Sequence, residues 1–177
     1  MSDQPNEKDD FGDALAYRAN LPLAWTESNG DSTTAFSLEN EHCLQVILNL
    51  NEHHTEHSEE MTAISAIERK VDMTMQMVSE LLRATIDMPD SKAIRLGAHE
   101  ISWHEPAVPP EVNAQLDLTL YLHGLYPKPL RLRGYVKSVV EQQCTVEFAP
   151  QHEDFQLLLE KFIFLHHRRA IAESKKP

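Results

Sequence analysis

The chain has few cysteines, few glycines, few basic residues and no long apolar run. Its 177 residues include 2 cysteines, Cys43 and Cys144, which are about a hundred positions apart. This number and spacing exclude a disulfide framework and a cysteine-rich zinc site. The 5 glycines form neither a Gly-rich phosphate-binding loop nor the G-x-S-x-G turn that carries a nucleophilic serine.

The shortage of basic residues argues against nucleic-acid and membrane partners. Lysine and arginine number 16 against 28 aspartate and glutamate, so the formal net charge is -12 and repels phosphate backbones and anionic lipids. No apolar run approaches the roughly 20 residues that cross a bilayer, and the acidic start lacks the features of a signal peptide. We therefore expect a cytoplasmic protein, with residues 1–12 as a disordered acidic arm and residues 13–177 as a single domain.

A long helix is the most prominent predicted element. Between Asp31 and Met88 there is no glycine and no proline, and helix-forming residues are abundant. A helix over residues 40–88 would measure about 70 Å, which is longer than a small domain is wide. One alternating 3,4 register forms a heptad seam along it. The seam residues are Ile47, Leu50, His54, His57, Met61, Ile64, Val71, Met75, Val78 and Leu82.

This seam predicts self-association. Further apolar residues beside it, such as Ile67, Met77 and Leu81, widen the stripe and favour a bundle of more than two helices or a helix lying partly on its own domain. We therefore expect a homo-oligomer. The alternative is a long helix that packs wholly on its own domain.

The remaining sequence predicts strands and one further helix. Apolar and polar side chains alternate with a period of two, which is typical of half-buried strands. We expect strands within 21–26, 92–103, 116–122, 130–136 and 145–148, and an amphipathic helix over 153–173. Pro22 cannot donate a ladder hydrogen bond, so we expect the first strand at an edge. The short connections favour antiparallel pairing in a barrel or sandwich, covered on one side by the last helix.

The order of these elements resembles that of PilZ domains, the bacterial barrel best known as a cyclic di-GMP receptor. The resemblance covers roughly the last half of the chain. It is carried by Ile94-Arg95-Leu96-Gly97-Ala98-His99-Glu100-Ile101, Leu116 to Leu122, Leu130 to Val136, Val146-Glu147-Phe148, and Leu159 to Phe164 with Arg168-Arg169.

The N-terminal half is similar to the atypical PilZ group. There, as here, a long helical insertion precedes the main strands, and Tyr17-Arg18 stands ahead of Leu21-Pro22-Leu23-Ala24-Trp25. In that group the inserted helix builds a tetramer through a coiled coil, so the resemblance implies a homotetramer. The resemblance implies an α+β fold that is mainly β: an antiparallel PilZ-type β-barrel with an inserted coiled-coil helix and a C-terminal capping helix.

The ligand motifs of PilZ domains are degenerate in this chain. Ligand-binding members carry an RxxxR motif, but Arg18 is followed four places later by Pro22. They also carry a [D/N]xSxxG motif, and here Arg95, Gly97 and Glu100 occupy its three defined positions. A glutamate in place of the last glycine adds bulk and a negative charge facing a dianionic ligand. We therefore expect no cofactor.

Binding of cyclic di-GMP would need a different set of basic residues. Arg18, Arg131 and Arg133 are candidates, because guanidinium groups hold phosphates and guanine edges. The simpler interpretation of Arg131 and Arg133 is an exposed strand face. A cyclic di-GMP receptor with a non-standard site is therefore the alternative function.

A histidine motif on the long helix gives a third hypothesis. His53, His54, Glu56 and His57 spell H-x-x-E-H, which on a helix can chelate zinc with Glu56 as a base. A zinc-dependent hydrolase also needs a third ligand and a cleft, and the predicted rod offers neither. A further interpretation is that His54 and His57 of neighbouring helices meet in a bundle, whose assembly protonation near pH 6 would weaken.

The sequence therefore predicts a protein that is not an enzyme, with no catalytic residue and no bound metal. We expect a signalling or scaffold protein that self-assembles through the heptad helix and presents its barrels to a protein partner. The PilZ resemblance implies a part in cyclic di-GMP-linked control of motility, biofilm or virulence.

Overall fold

The computed structural model describes residues 15–28, 37–53 and 62–174. These residues form six strands and three helices. In chain order they are β1 (Tyr17–Glu27), α1 (Ser37–His53), α2 (Thr62–Thr85), β2 (Ser91–Leu96), β3 (Glu100–His104), β4 (Gln115–Leu120), β5 (Leu130–Val140), β6 (Gln143–Phe148) and α3 (Glu153–Ser174). The predicted acidic arm, residues 1–12, lies outside the described residues, as does the middle of the predicted long helix, residues 54–61.

The six strands close into an antiparallel barrel in the order β1-β2-β3-β6-β5-β4. β1 closes it, because residues 17–22 pair with β2 and residues 23–27 pair with β4. The prediction of an edge strand was therefore wrong. Pro22 is the last residue of β1 that pairs with β2, so the N–H that proline lacks lies where β1 changes from one pairing partner to the other. The Pro22 carbonyl accepts a hydrogen bond from the Tyr121 N–H at 3.1 Å.

The period-two alternation of the sequence is confirmed in the barrel. In β4 the side chains of Leu116, Leu118 and Leu120 are buried, and the residues between them are half-buried. Their partners on β5 continue the same layer, since Leu118 pairs with Leu132 and Leu120 with Leu130. A connection over residues 121–129 joins β4 to β5, a two-residue turn joins β5 to β6, and both pairs are antiparallel, as the sequence predicts for a meander.

One end of the barrel holds an ionised carboxylate. Glu105 is only 6% exposed, and it accepts hydrogen bonds from Trp25 Nε1 at 2.7 Å and Trp103 Nε1 at 3.2 Å. Lys92 Nζ forms an ion pair with the same oxygen. Burial by itself would raise the pKa of Glu105, but the hydrogen bonds from Lys92 and the two indoles outweigh it and lower that pKa. The cluster thus satisfies a buried charge.

Two helices cover the outside of the barrel. The inner face of α3 buries Phe155, Leu159, Phe162 and Ile163 in the core. α1 packs against α3 and β5, and Asn40 fixes it to the sheet: its side-chain amide donates to the Arg131 carbonyl at 2.7 Å and accepts from the Arg131 N–H at 2.9 Å.

This position of α1 corrects part of the predicted oligomer seam. Cys43, Leu44, Ile47 and Leu48 of α1 are buried in the core of their own chain, and Ile47 is 0% exposed. Ile47 is therefore unavailable to a second chain. The physical reason is the width of the apolar stripe: four residues at this spacing make the broad face of a helix that packs on a domain, whereas a two-position seam is narrower. The α1 part of the predicted oligomerising helix, residues 40–88, therefore packs on its own domain.

The C-terminal end of the predicted long helix is close to the expected one. α2 ends at Thr85, four residues before Pro89. None of the helices within the described ranges is both long and apolar enough to span a membrane.

A glycine in β5 is required by the close approach of β6. A Cβ atom at Gly134 would lie 2.6 Å from Val146 Cγ1 and would overlap the backbone carbonyl oxygen of Glu147. We predict that Gly134→Ala lowers the free energy of unfolding by about 1 to 3 kcal/mol, because the backbone of β6 must shift. Chemical denaturation measures this change.

Gly124→Ala is the matched control for this substitution. A Cβ atom at Gly124 would meet only the mobile end of the Arg83 side chain, at 3.2 Å. We expect this variant to differ from the original chain by less than about 0.5 kcal/mol. Equal effects of the two substitutions would contradict the steric argument.

Candidate functional site

The main candidate site is the apolar surface of α2. This helix has 24 residues and is about 36 Å long at 1.5 Å per residue. Seven of its large apolar side chains are between 45% and 68% exposed. They are Ile67, Val71, Met73, Met77, Val78, Leu81 and Leu82. Contiguous exposed apolar side chains of this kind mark interaction surfaces.

A buried serine of α2 contacts the barrel. Ser79 is 5% exposed, and its hydroxyl is shared between the carbonyl oxygens of Met75, at 2.8 Å, and Leu125. Leu125 belongs to the β4–β5 connection, in which the Tyr126 N–H donates to the His123 carbonyl at 3.3 Å. The helix is therefore attached to the barrel through this connection, and part of its apolar surface borders the same connection.

A groove of about 470 Å³ lies between α2 and this connection. We call it the α2 groove. The barrel side of it consists of Leu125, Tyr126 and Pro127. The helix side includes four predicted seam residues, which the fold brings to one face: Val71, Met75, Val78 and Leu82. The contribution of the β4–β5 connection was not predicted, although three consecutive bulky residues in a connection were a visible signal.

The other predicted seam residues are placed as follows. Leu50 is half-buried on α1, and Ile64 lies in α2, with its side-chain environment outside what the structure describes. His54, His57 and Met61 lie outside the described residues, and so do most residues of the H-x-x-E-H motif. The zinc hypothesis and the proposed histidine contact in the bundle therefore remain predictions.

The degenerate ligand positions lie on β1, β2, the β2–β3 turn and the first residue of β3. Arg18 is the cross-strand partner of Arg95, and Arg18 is exposed. In the β2–β3 turn the Gly97 N–H donates to the Glu100 carbonyl at 2.8 Å. The Glu100 carboxylate pairs with Lys137 Nζ at 3.3 Å. The residue that replaces the expected glycine thus binds a nearby cation.

A second groove, of about 890 Å³, opens beside this turn and α3. We call it the β2–β3 groove. Its charged side chains are Glu100, Glu147 and Glu160 against Lys137 and Lys161. Carboxylates thus outnumber ammonium groups there, which is unfavourable for a dianionic ligand.

The alternative basic residues are engaged in the sheet. Arg133 forms a two-pronged contact with Asp117, from Nε to Oδ1 at 2.7 Å and from its terminal NH2 group to Oδ2 at 3.1 Å. The hydrogen bonds from Arg133, opposed in part by burial, lower the pKa of Asp117. The backbone of Arg131 is fixed by Asn40. Structural contacts therefore account for the position of the Arg133 side chain and for that of the Arg131 backbone.

An aromatic cluster anchors the C-terminal end of α1. The His166 ring packs against Tyr17 and Phe162, with centroid distances of 4.5 and 4.4 Å. Next to it Arg169 donates to the Asn51 carbonyl at 2.7 Å. Burial, with smaller contributions from the charges of Arg169 and His123, lowers the pKa of His166 from its ordinary 6.5 to about 4.

This anchor predicts a pH dependence of stability. Because the pKa of His166 is lower in the folded chain, the fold favours the neutral ring. The contribution of His166 to the free energy of unfolding is therefore complete above pH 6.5 and is lost as the pH falls towards 4. We predict that unfolding free energy falls between about pH 7 and about pH 5 in the original chain, and falls less in His166→Gln. Denaturant titration at both values measures it, with His167→Gln as the control. An unchanged slope in His166→Gln would contradict the assignment.

Comparison with known proteins gives a match to the fold. No protein-family model and no curated protein matches the chain. A solved structure from Xanthomonas campestris, of a pathogenic protein with a tetrameric PilZ domain self-assembled via an unusual helical bundle, is similar with a TM-score of 0.71. The two chains are 22% identical, and the match covers 92% of this chain and 93% of the other. The similarity shows a shared fold and confirms the predicted PilZ-type architecture.

A second structure is similar over a smaller part of the chain. It is the inhibitor of motility from Bacillus subtilis, which is 14% identical with a TM-score of 0.37. The match covers 49% of this chain and 43% of that one. At this TM-score the likeness supports no inference.

Proposed function

Because the chain has the fold of a PilZ domain, we propose that it is a non-enzymatic bacterial regulatory protein that assembles into a homotetramer through α2. In this proposal the assembled barrels are presented to a protein partner in cyclic di-GMP-linked regulation of motility, biofilm or virulence. The observation that carries the proposal is the apolar surface of α2, which is exposed between Ile67 and Leu82 on a helix attached to its barrel at Ser79.

The energy available on this face supports association. Fully burying an aliphatic side chain contributes about 1.5 to 3 kcal/mol, so each half-exposed residue retains about 1 kcal/mol to gain. Several such residues on each of two or more helices offset a cost of association of roughly 4 to 15 kcal/mol. The heptad spacing of Val71, Val78 and Leu82 allows one helix to present them together to another.

The width of the face supports more than two helices. Leu81 and Met77 lie beside the seam and are 68% and 58% exposed, so one partner helix would leave them uncovered. Wide apolar stripes are typical of bundles of higher order. The Xanthomonas campestris protein of the same fold is described as a tetramer formed through a helical bundle.

We predict that an acidic substitution in the seam dissociates the assembly. Val71→Asp and Val78→Asp place an unpaired charge in the buried seam, so the mass should fall from about four times the chain mass towards 20.2 kDa. Light scattering coupled to size exclusion measures it.

Gln76→Asp is the control for the seam variants. It adds the same charge at an exposed position of α2, but Gln76 is a polar residue two positions from Val78 and lies on the opposite side of the helix. We expect its mass to equal that of the original chain. An original chain that is monomeric would contradict the proposal, and so would a loss of mass that is the same in all three variants.

The alternative function is a cyclic di-GMP receptor with a non-standard site. The exposed Arg18 beside the β2–β3 turn favours it, whereas the excess of carboxylates in the β2–β3 groove opposes it. We predict that calorimetric titration with cyclic di-GMP gives no binding at micromolar concentration. Micromolar binding that is lost in Arg18→Ala would replace the scaffold function with the receptor function.

A further inference from the structure

The outward side of α3 carries a second apolar stripe. Leu157, Phe164 and Ile171 are spaced seven residues apart and are 56%, 47% and 42% exposed. They lie on the side of α3 opposite Phe162, which is buried in the core. Two helical turns separate each from the next, so the stripe is about 21 Å long. We call it the α3 face.

The charges beside the α3 face are arranged for contact with a second copy of the same helix. Glu160 lies four residues before Phe164, and Arg168 lies four residues after it. Both are exposed, and the Arg168 guanidinium lies 5.9 Å from the centre of the Phe164 ring. Glu160 and Arg168 are about 12 Å apart along one helix, which is too far for a pair within the chain.

We propose that two copies of the chain pair antiparallel through the α3 face, about a two-fold axis at Phe164. In this arrangement Phe164 meets the partner's Phe164, and Leu157 meets the partner's Ile171. Glu160 meets the partner's Arg168, and the symmetry axis repeats this ion pair on the other side. Such an isologous contact uses one self-complementary patch, which matches the symmetric placement of these residues around Phe164.

The β2–β3 groove adds an apolar wall beside this contact. Leu157 and Phe164 line that groove together with Ala98 of the β2–β3 turn. The partner's Ile171, opposite Leu157, would supply an apolar side chain at this wall. Contact between single helices lies at the small end of interface sizes, so we expect a dimer that depends on concentration.

Pairing through the α3 face does not depend on assembly through α2, so the test uses a chain in which substitutions have abolished assembly through α2. In the chain with Val71→Asp and Val78→Asp, sedimentation equilibrium should show a rise from 20.2 kDa towards twice that mass with concentration. Adding Phe164→Asp should leave a monomer at every concentration. A chain that is monomeric throughout before Phe164→Asp is added would overturn the inference.

A charge-swap cycle tests the geometry and does not rely on a single variant. Glu160→Arg and Arg168→Glu should each weaken dimerisation about tenfold, because two symmetric ion pairs become repulsive. The two reversals together should restore the original dissociation constant, since the swapped charges attract again. Glu111→Arg, which makes the same charge change before β4, is the control and should have no effect. Failure of the double reversal to restore dimerisation would overturn the antiparallel register.

The outcomes separate this inference from the proposed function. If the original chain and the chain with Val71→Asp and Val78→Asp have the same mass, assembly through α2 is contradicted. The charge-swap cycle still gives its own result in either chain, because it reports only on α3.

Discussion

The structure depends on the closure of the barrel by β1. Because this strand pairs with β2 along its first half and with β4 along its second, the six strands leave no open edge. A barrel of six strands has a small interior, so the helices bury their apolar side chains against its outside. α1 and α3 use this surface. α2 keeps a largely exposed apolar face among the described residues, and the proposed assembly follows from that difference.

The parts of the fold that follow from local periodicity could be predicted from the sequence. Alternation along β4 predicts that Leu116, Leu118 and Leu120 lie inside the barrel. The run without glycine or proline predicts helix, and the structure has helical residues on both sides of 54–61. The position of β1 could not be predicted in this way. A proline such as Pro22 normally marks an edge strand. Here a strand within a closed barrel tolerates it, because β1 pairs with β2 up to this residue and with β4 after it.

The candidate site could be predicted only in part, because a heptad pattern does not say which partner covers it. The pattern identified Val71, Val78 and Leu82 on the exposed face of α2, but it also included Ile47, which the chain covers with its own core. The wall made by Leu125 to Pro127 was not predicted, since it depends on contact between segments about fifty residues apart in the sequence. The α3 face could not be predicted for a related reason. Its apolar residues can be distinguished from the buried apolar residues of α3 only when the inner side of the helix is known.

The sharing of Glu105 by Trp25 and Trp103 has a consequence for spectroscopy. These are the only 2 tryptophans of the chain, and both indoles donate to the same carboxylate. Neither belongs to α2 or α3, so the ultraviolet emission of the protein monitors one end of the barrel. A chain that has lost its contacts with other copies will keep its emission maximum as long as the barrel is closed. Fluorescence and hydrodynamic size therefore follow two separate transitions in the same molecule.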